Sequence, residues 1–264
     1  MRPSMPKPRT RFSSGTLRAA TAAALGALVL LGLWALAAQL VDSEIVLPSP
    51  LRVARSVRDL FPTSQFLAAL QATFLRGLAA FGISMAAGIA VGLACGLSGT
   101  FASALAPALT VVRATPVLAV ILLALIWFPS GIVPVFAAVL MAFPIVVADV
   151  RQGVRTTDPK LLEMARLFRL RKRDRLQNIY APAVAPHLVS ASHSALGLCW
   201  KVVVAGEVLS QPARALGTGM NRARIQLETA EVFAWTFAGL LLCTLTDVAF
   251  KLCRRRHDGD VQPS

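Results

Sequence analysis

Residues 158–182 read DPKLLEMARLFRLRKRDRLQNIYAP, a polar stretch set between long apolar runs. Asp158 suits a helix N-cap, and Pro159 suits the first helical position. Apolar residues then recur at helical spacing, at Leu161, Met164, Ala165 and Phe168. A second short helix is predicted over 172–180, ending before Pro182 because proline disfavours helix in the residue before it. Two such amphipathic helices need a cover for their apolar faces, which is the rest of the chain, a lipid surface or a partner protein.

The runs on either side of this stretch have the length and apolarity of membrane helices. The chain has 264 residues, 56% of them hydrophobic, and a helix needs about 20 mostly apolar residues to cross a bilayer. Six spans are predicted, at 19–40, 78–97, 102–128, 132–148, 188–208 and 232–252. The sequence therefore predicts an all-α membrane protein with six transmembrane helices. Its membrane domain covers 19–252, between a basic tail at 1–18 and a C-terminal tail at 253–264.

The net charge of +14 is explained by membrane topology rather than by binding to nucleic acid. Most of the 27 Lys and Arg residues lie before the first span, between the fourth and fifth spans, or after the sixth. Basic residues are retained on the cytoplasmic side during insertion. Both termini and the polar stretch are therefore predicted to face the cytoplasm. The first apolar run is longer than the core of a signal peptide, about 7–15 residues, so we expect it to stay uncleaved.

The sequence contains no pattern for catalysis or for a metal site. It lacks G-x-x-x-x-G-K-[ST], the loop that cradles ATP phosphates. The histidines have no carboxylate partner at helical spacing; they are His187, His193 and His257. The cysteines form no C-x-x-C pair and are interpreted as small apolar residues; they are Cys95, Cys199, Cys243 and Cys253. The chain is therefore not expected to be an enzyme or to hold a cofactor.

Several spans carry signals for packing and bending. Glycines recur every fourth residue in the second span, at Gly88, Gly92 and Gly96, which allows a second helix to approach closely. In the third span, Arg113-Ala114-Thr115-Pro116 predicts a kink. The fourth span is predicted to end around Phe143-Pro144, with Asp149 and Arg151 marking its exit. The stretch from Leu51 predicts a short amphipathic helix at the outer interface or, alternatively, an ordinary surface linker.

The spacing of Glu163-Met164-Ala165, Ile179 and Pro182 resembles the cytoplasmic EAA loop, E-A-A-x3-G-x9-I-x-L-P, of permease subunits in binding-protein-dependent ABC importers. In that family the loop docks into a groove on the nucleotide-binding subunit. The resemblance implies an ATPase-coupling set made of Glu163, Met164, Ala165, Phe168, Arg169, Ile179 and Pro182, with Glu163 and the apolar face around Ala165 as the contact. ATP would then be bound by the partner ATPase subunit.

This sequence departs from the family pattern at three positions. Met164 replaces the second alanine, Arg169 replaces the glycine, and Ala181 replaces the leucine. A residue with a Cβ adopts left-handed geometry less readily than glycine, by about 1–2 kcal/mol. The turn at Arg169 is therefore expected to be either reshaped or stabilised by a partner carboxylate.

The resemblance covers residues 45–252 and is closest to the sulfonate, taurine and nitrate group of these permeases. Five short motifs occur in the same order: Leu47-Pro48-Ser49-Pro50, Arg113-Ala114-Thr115-Pro116, Phe143-Pro144, the EAA-like loop and Gly206-Glu207-Val208-Leu209. The resemblance implies a MetI-like fold in the bacterial inner membrane, a permease homodimer, ABC ATPase subunits and an extracytoplasmic solute-binding protein. It also implies import of a small anionic solute such as a sulfonate, taurine or nitrate.

The fifth span carries a polar stripe within about 100° of one helical face. Its members are Ser190, His193, Ser194, Gly197 and Lys201. An intramembrane cation is costly unless it is paired or faces water, so we predict a pathway site at Ser190, His193, Ser194 and Lys201. The alternative is a packed stripe whose lysine snorkels or pairs with a carboxylate such as Glu207. Asp247 and Lys251, at i and i+4, are interpreted as a structural pair.

An ion-coupled secondary transporter is the alternative function, and a membrane protein without a transport role is a third. A secondary transporter would favour carboxylates deep in its spans, whereas Glu207 and Asp247 lie near the predicted helix ends. The sequence therefore favours the permease function.

Overall fold

The computed structural model describes the backbone of residues 14–259 and the side chains of residues 21–250. Within this part of the chain the regular structure is entirely helical. The helices are α1 (Ser14–Val41), α2 (Pro50–Leu60), α3 (Ser64–Leu97), α4 (Gly99–Ala114), α5 (Val117–Trp127), α6 (Val133–Arg155), α7 (Pro159–Leu167), α8 (Lys172–Arg175), α9 (Ala181–Ser210), α10 (Leu216–Ile225) and α11 (Thr229–Gly259). Helix α1 begins within the predicted N-terminal tail, and α11 ends within the predicted C-terminal tail. The remaining residues of both tails lie outside the described part.

Five helical stretches are long and apolar enough to cross a membrane. They are Thr21–Val41, Ser64–Leu97, Val133–Arg155, Lys172–Ser210 and Thr229–Phe250. Helices α4 and α5 pass the same test only as a pair, and the number of spans in the described residues is six if that bent pair counts as one span. The predicted all-α membrane fold is confirmed.

The predicted third span, 102–128, is broken rather than kinked. Helix α4 ends at Ala114, and α5 starts after Pro116 at an angle of 99° to it. The two helices have 16 and 11 residues, so they are roughly 24 and 17 Å long. Each is shorter than the bilayer's hydrocarbon core of about 30 Å. Proline at the junction removes a backbone donor and restricts the residue before it, which explains the position of the bend.

The fourth span does not end at the predicted position. Helix α6 passes through Pro144 and continues to Arg155, beyond the predicted boundary at 148. Proline is tolerated inside membrane helices when neighbouring helices stabilise the chain on both sides of it. Pro144 is buried, and α6 packs against α3 and α9 over much of its length. The packing therefore outweighs the local preference of proline to end a helix.

The second helix of the polar stretch does not end before Pro182 either. Helix α8 leads into a π-helical turn, Leu176–Tyr180, and this turn continues into α9. The N–H of Ala181 donates to the carbonyl of Leu176, five residues earlier. This wider turn accommodates the proline ring. The helical rod therefore runs without a break from the polar stretch into the fifth span.

The close contact of α3 with α6 confirms the predicted glycine stripe. Three pairs step along both helices in the same direction, so the helices are parallel: Gly88 with Val146, Gly92 with Val150 and Gly96 with Val154. A Cβ on any of these glycines would lie 2.5–2.7 Å from the valine Cβ. Only a residue without a side chain permits this spacing.

Helix α9 packs on α6 in the antiparallel direction, again at glycines. A Cβ on Gly153 would lie 2.9 Å from the Cα of Val184, and one on Gly206 would lie 2.8 Å from the Cα of Pro134. Helices α3, α6 and α9 supply most of the main apolar core. Helix α6 is therefore held from two sides along its whole length.

A charged cluster joins α3, α9 and α10 at the end of the bundle opposite the polar stretch. Glu207 is 0% exposed and accepts hydrogen bonds from Arg76 Nη1 at 2.8 Å, from the Thr73 hydroxyl at 2.9 Å and from the N–H of Gly217 at 3.2 Å. Arg76 also donates to the carbonyl of Arg214 at 2.9 Å. The predicted alternative that Glu207 pairs with the lysine of the polar stripe is wrong, because its partner is Arg76, 131 residues earlier in the chain.

The helix predicted from Leu51 onward is present as α2. The N–H of Arg52 donates to the Ser49 hydroxyl at 3.3 Å, which caps the helix, and Val53 is buried. Helix α2 packs against α11, whereas α1 is mostly exposed. The main ring contact of α1 is the stacking of Trp34 on Phe233, with ring centroids 5.6 Å apart.

The α3–α6 contact can be tested with two glycines of the same helix. For Gly92→Ala we expect the free energy of unfolding in mixed detergent micelles to fall by about 1–3 kcal/mol, because the new Cβ overpacks against Val150. The matched control is Gly82→Ala, where nothing lies within 4 Å of the new Cβ. The control should be neutral or stabilising by up to about 1 kcal/mol, since it removes backbone freedom. Equal effects of the two substitutions would contradict the close contact.

Candidate functional site

The polar stretch forms a helical loop at one end of the bundle, between α6 and α9. The Asp158 carboxylate accepts a hydrogen bond from the N–H of Lys160 at 2.8 Å, and Pro159 is the first residue of α7. The predicted N-cap and first helix are therefore confirmed. We call residues 158–182 the coupling loop, after the role that the family resemblance implies.

Arg169 adopts the left-handed backbone conformation that the family glycine would favour. Its φ is 49°. The N–H of Leu170 donates to the carbonyl of Ala165 at 3.0 Å, and the N–H of Arg169 donates to that of Arg166 at 3.1 Å. These two bonds make a Schellman motif, whose left-handed position is usually glycine. The turn is therefore retained in spite of the arginine, so the first of the two expected alternatives, a reshaped turn, does not occur; stabilisation by a partner carboxylate stays a prediction.

The predicted coupling residues separate into exposed and buried groups. Ala165 is 1% exposed and Ile179 is 6% exposed, so both pack inside the chain instead of facing a partner. The exposed members are Glu163, Met164, Phe168, Arg169 and Pro182. The exposed part of the predicted contact therefore lies beside Ala165, which is itself buried.

Helix α7 exposes an apolar patch that the residue pattern identified only in part. We call it the loop patch, and its members are Leu161, Met164, Leu167 and Phe168. Leu167 is 82% exposed and Phe168 is 74% exposed. Glu163 is exposed on the same short helix and forms no salt bridge with a described residue. Leu167 was missed by the sequence pattern, because it falls outside the i, i+3, i+4, i+7 series.

The base of the coupling loop lies at one of the two close contacts between α6 and α9. Gly153, whose backbone lies against Val184, is three residues before Thr156, which ends α6. The Thr156 hydroxyl donates to the carbonyl of Gln152 at 3.0 Å and lies 3.3 Å from His187 Nε2. The start of the loop is therefore held against the ends of both α6 and α9.

The predicted pathway residues lie on an outward face of α9. Ser190, His193, Ser194 and Lys201 are all exposed in the single chain. Lys201 forms no salt bridge with a described carboxylate. His193 Nε2 lies 2.6 Å from Asp247 Oδ1, which links α9 to α11. Spacing along the sequence of one helix did not predict this partner, because Asp247 lies on another helix. The Lys251 side chain, predicted to pair with Asp247, lies outside the described side chains.

A cavity of about 550 Å³ opens at the bend between α4 and α5, where α6 and α9 complete its wall. Its charged lining residues are Arg113 and Asp149. Arg113 Nη2 also donates to the carbonyl of Pro144 at 2.6 Å. Helix α9 contributes Leu198 and Val202 to the wall, and the four predicted pathway residues are not part of it. The sequence pattern assigned Arg113 only to a kink and missed its place in a cavity.

Residues 84–258 match the family model described as binding-protein-dependent transport system inner membrane component. The chain belongs to this family. The permease is 26% identical over 230 residues to a protein of Bacillus subtilis described as an aliphatic sulfonates transport permease, SsuC, with 86% of this chain and 83% of that protein covered. It is 28% identical over 208 residues to the nitrate import permease protein NrtB of Leptolyngbya laminosa, covering 74% and 72%.

Another relative shows how far the family's solutes vary. The riboflavin transport system permease protein RibX of Chloroflexus aurantiacus is 32% identical over 144 residues, covering 54% of this chain and 53% of that protein. The expected resemblance to the sulfonate and nitrate permeases is confirmed, and the permease is a transport subunit rather than an enzyme.

A solved structure supports the fold independently of the sequence relatives. The permease matches a chain in the crystal structure of an amino acid ABC transporter with histidines, with a TM-score of 0.58 and 20% identity. The match covers 73% of this chain and 94% of that one. The expected MetI-like permease fold is therefore confirmed.

The turn at Arg169 gives a prediction about local stability. We expect Arg169→Gly to slow amide hydrogen exchange at Leu170, because glycine removes a left-handed cost of about 1–2 kcal/mol. The matched control is Arg166→Gly inside α7. This substitution should speed amide exchange at Leu170, since glycine inside a helix costs about 1 kcal/mol. Faster exchange at Leu170 in the Arg169→Gly variant would show that the arginine side chain stabilises the turn.

Proposed function

We propose that this permease forms the solute pathway of an ABC importer for a small anionic solute, such as a sulfonate, taurine or nitrate, and is driven by a separate ATPase subunit. The observation that carries the proposal is the loop patch, exposed on and beside α7 together with Glu163, in the loop between α6 and α9. The ATPase subunits bind the ATP, so the permease itself needs no cofactor.

The loop patch favours docking of a protein. Leu167, the last residue of α7, and Phe168, which follows it, are largely exposed, and contiguous exposed apolar side chains typically mark an interaction site. Burying them in a groove stabilises a complex by roughly 25 cal/mol for each Å² removed from water. A second chain of the importer is the natural occupant, because this chain has no phosphate-binding loop of its own.

Cations near the middle of the membrane domain support an anionic solute. Arg113 lines the cavity at the bend, and Lys201 lies on the exposed face of α9. Cations at such depth usually face a water-filled pathway or a paired charge. We place Ser190, His193, Ser194 and Lys201 at the seam between two copies of the permease, where both copies line one pathway. Relatives described as sulfonate and nitrate permeases agree with this solute class, although the riboflavin relative shows that the family does not fix it.

The proposed orientation follows from the distribution of charge. Both termini and the coupling loop face the cytoplasm of a bacterial inner membrane, because Lys and Arg concentrate there. Helix α10 and the Glu207 cluster then lie at the outer end. An extracytoplasmic solute-binding protein meets the permease at that end and delivers the solute.

The coupling role can be tested by co-purification with an ATPase encoded by a neighbouring gene. We expect Glu163→Arg to lower recovery of the ATPase at least roughly tenfold, because the substitution reverses a charge beside the loop patch, and 1.4 kcal/mol corresponds to a factor of ten. Glu228→Arg is the matched control, since it makes the same charge change at an exposed site beyond α10. Recovery should be unchanged in the control.

A comparison of Glu163→Arg with Phe168→Asp separates two questions, which are whether the chain is an importer subunit and which residues contact the ATPase. An ATPase retained by Glu163→Arg but lost from Phe168→Asp would keep the importer function and move the contact to the apolar patch. Failure to recover an ATPase with the unaltered permease in any mild detergent would contradict the proposed function.

The pathway role of Lys201 has its own test. We expect Lys201→Met to lower uptake of labelled taurine or nitrate into vesicles roughly tenfold, because the solute loses a charge attraction of between about 1 and 4 kcal/mol. Lys201→Arg keeps the charge and should keep most of the uptake. ATPase recovery should be the same in both variants. Unchanged uptake in Lys201→Met would remove this residue from the pathway.

A further inference from the structure

A basic cleft lies between α4 and α6, separate from the exposed face of α9. It encloses about 330 Å³, which is at the lower end of the range of ligand sites, about 300–1,000 Å³. Three of its lining residues are Arg113, Arg151 and Arg155, and Thr110 and Gln152 add further polar groups. None of its lining residues is a carboxylate.

The three arginines of the cleft are not neutralised within the described residues. None forms a salt bridge with a described Asp or Glu. Arg113 donates one hydrogen bond, to the Pro144 carbonyl, whereas the buried Nε of Arg151 has no hydrogen-bond partner. A buried donor without a partner costs free energy, more so in a charged group. The cleft therefore offers several guanidinium donors to an anion.

The position of the cleft matches that of a phospholipid headgroup. Arg155 is the last residue of α6, and Arg151 lies one turn earlier. Val147, the innermost residue of α6 in the lining, lies eight residues before Arg155, so the cleft reaches roughly 12 Å into the membrane domain from the loop end. Its outer arginines are then near headgroup depth, and its inner part is at acyl-chain depth.

We propose that this cleft binds a phosphate oxyanion, supplied by the headgroup of an anionic phospholipid in the leaflet on the coupling-loop side. Guanidinium groups bind phosphate through paired hydrogen bonds, and basic pockets between membrane helices typically hold anionic headgroups. Ala106 and Leu109 provide an apolar wall for the lipid's glycerol and upper acyl carbons. Exposed Phe101 and Val111 on α4 leave its outer surface open to lipid. The site does not depend on the transported solute.

The test measures lipid binding to the full-length permease by native mass spectrometry. Detergent-solubilised protein is titrated with dioleoyl phosphatidylglycerol and, separately, with dioleoyl phosphatidylcholine. We expect the unaltered protein to bind phosphatidylglycerol roughly tenfold more tightly or better, since each Arg near an anionic headgroup contributes about fivefold. The double variant Arg151→Gln, Arg155→Gln should lose this preference, and Arg151→Lys, Arg155→Lys should keep part of it.

A matched control separates the cleft from general surface charge. The double variant Arg166→Gln, Arg173→Gln removes two exposed arginines at the same end of the bundle that do not line the cleft. It should keep the full preference, and an equal loss in both double variants would overturn the proposal. A preference retained by Arg151→Gln, Arg155→Gln would overturn it as well.

Inorganic phosphate distinguishes the two sources of the oxyanion. Competition by phosphate against phosphatidylglycerol in the unaltered protein would support recognition of the phosphate group itself. Phosphate binding that requires Arg151 and Arg155, without any preference for phosphatidylglycerol over phosphatidylcholine, would keep the oxyanion site and overturn the lipid as its source.

Discussion

The close approach of backbones along α6 is the constraint on which the rest of the structure depends. On one side, glycines of α3 admit valine side chains of α6 at distances that exclude any Cβ, and on the other side Gly153 and Gly206 bring α9 equally close. Between membrane helices, lipid tails are as apolar as leucine, so association depends on close packing rather than on the hydrophobic effect. The α3–α6–α9 unit is therefore the most closely packed part of the bundle, and the remaining elements are attached to it.

Those two ends carry different chemistry. At one end the coupling loop presents exposed apolar side chains, and at the other end Glu207 and Arg76 join α9 to α3 and α10. Residues 172–210 form one helical rod between them, roughly 58 Å long at 1.5 Å per residue. Removing one partner of a buried ion pair is strongly destabilising, so the far end of the rod is firmly anchored. The proposed coupling therefore acts between two ends of the bundle that one unbroken helical rod connects.

The bend between α4 and α5 contributes the other functional feature, which is exposure of basic groups inside the membrane domain. Arg113 lies at the break and lines both the cavity at the bend and the basic cleft on the other side of α4. A straight span would bring this guanidinium into contact with lipid chains, at a high cost. At the break, Arg113 instead donates to the Pro144 carbonyl and lines both the cavity at the bend and the basic cleft. The proposed solute pathway and the proposed lipid site therefore both involve Arg113.

The sequence by itself determined the features that depend on local spacing. The apolar runs, the glycine stripe, the N-cap at Asp158 and the family pattern all follow from periods of three to four residues or from fixed short motifs. Tertiary structure alone decided whether a proline ends a helix, because packing on both sides carries α6 through Pro144 and a π-helical turn carries the chain through Pro182. It also decided which charges meet: His193 with Asp247, and Arg76 with Glu207 across 131 residues. Periodicity along one helix contains no information about the facing helix, and for that reason these partners could not be read from the chain.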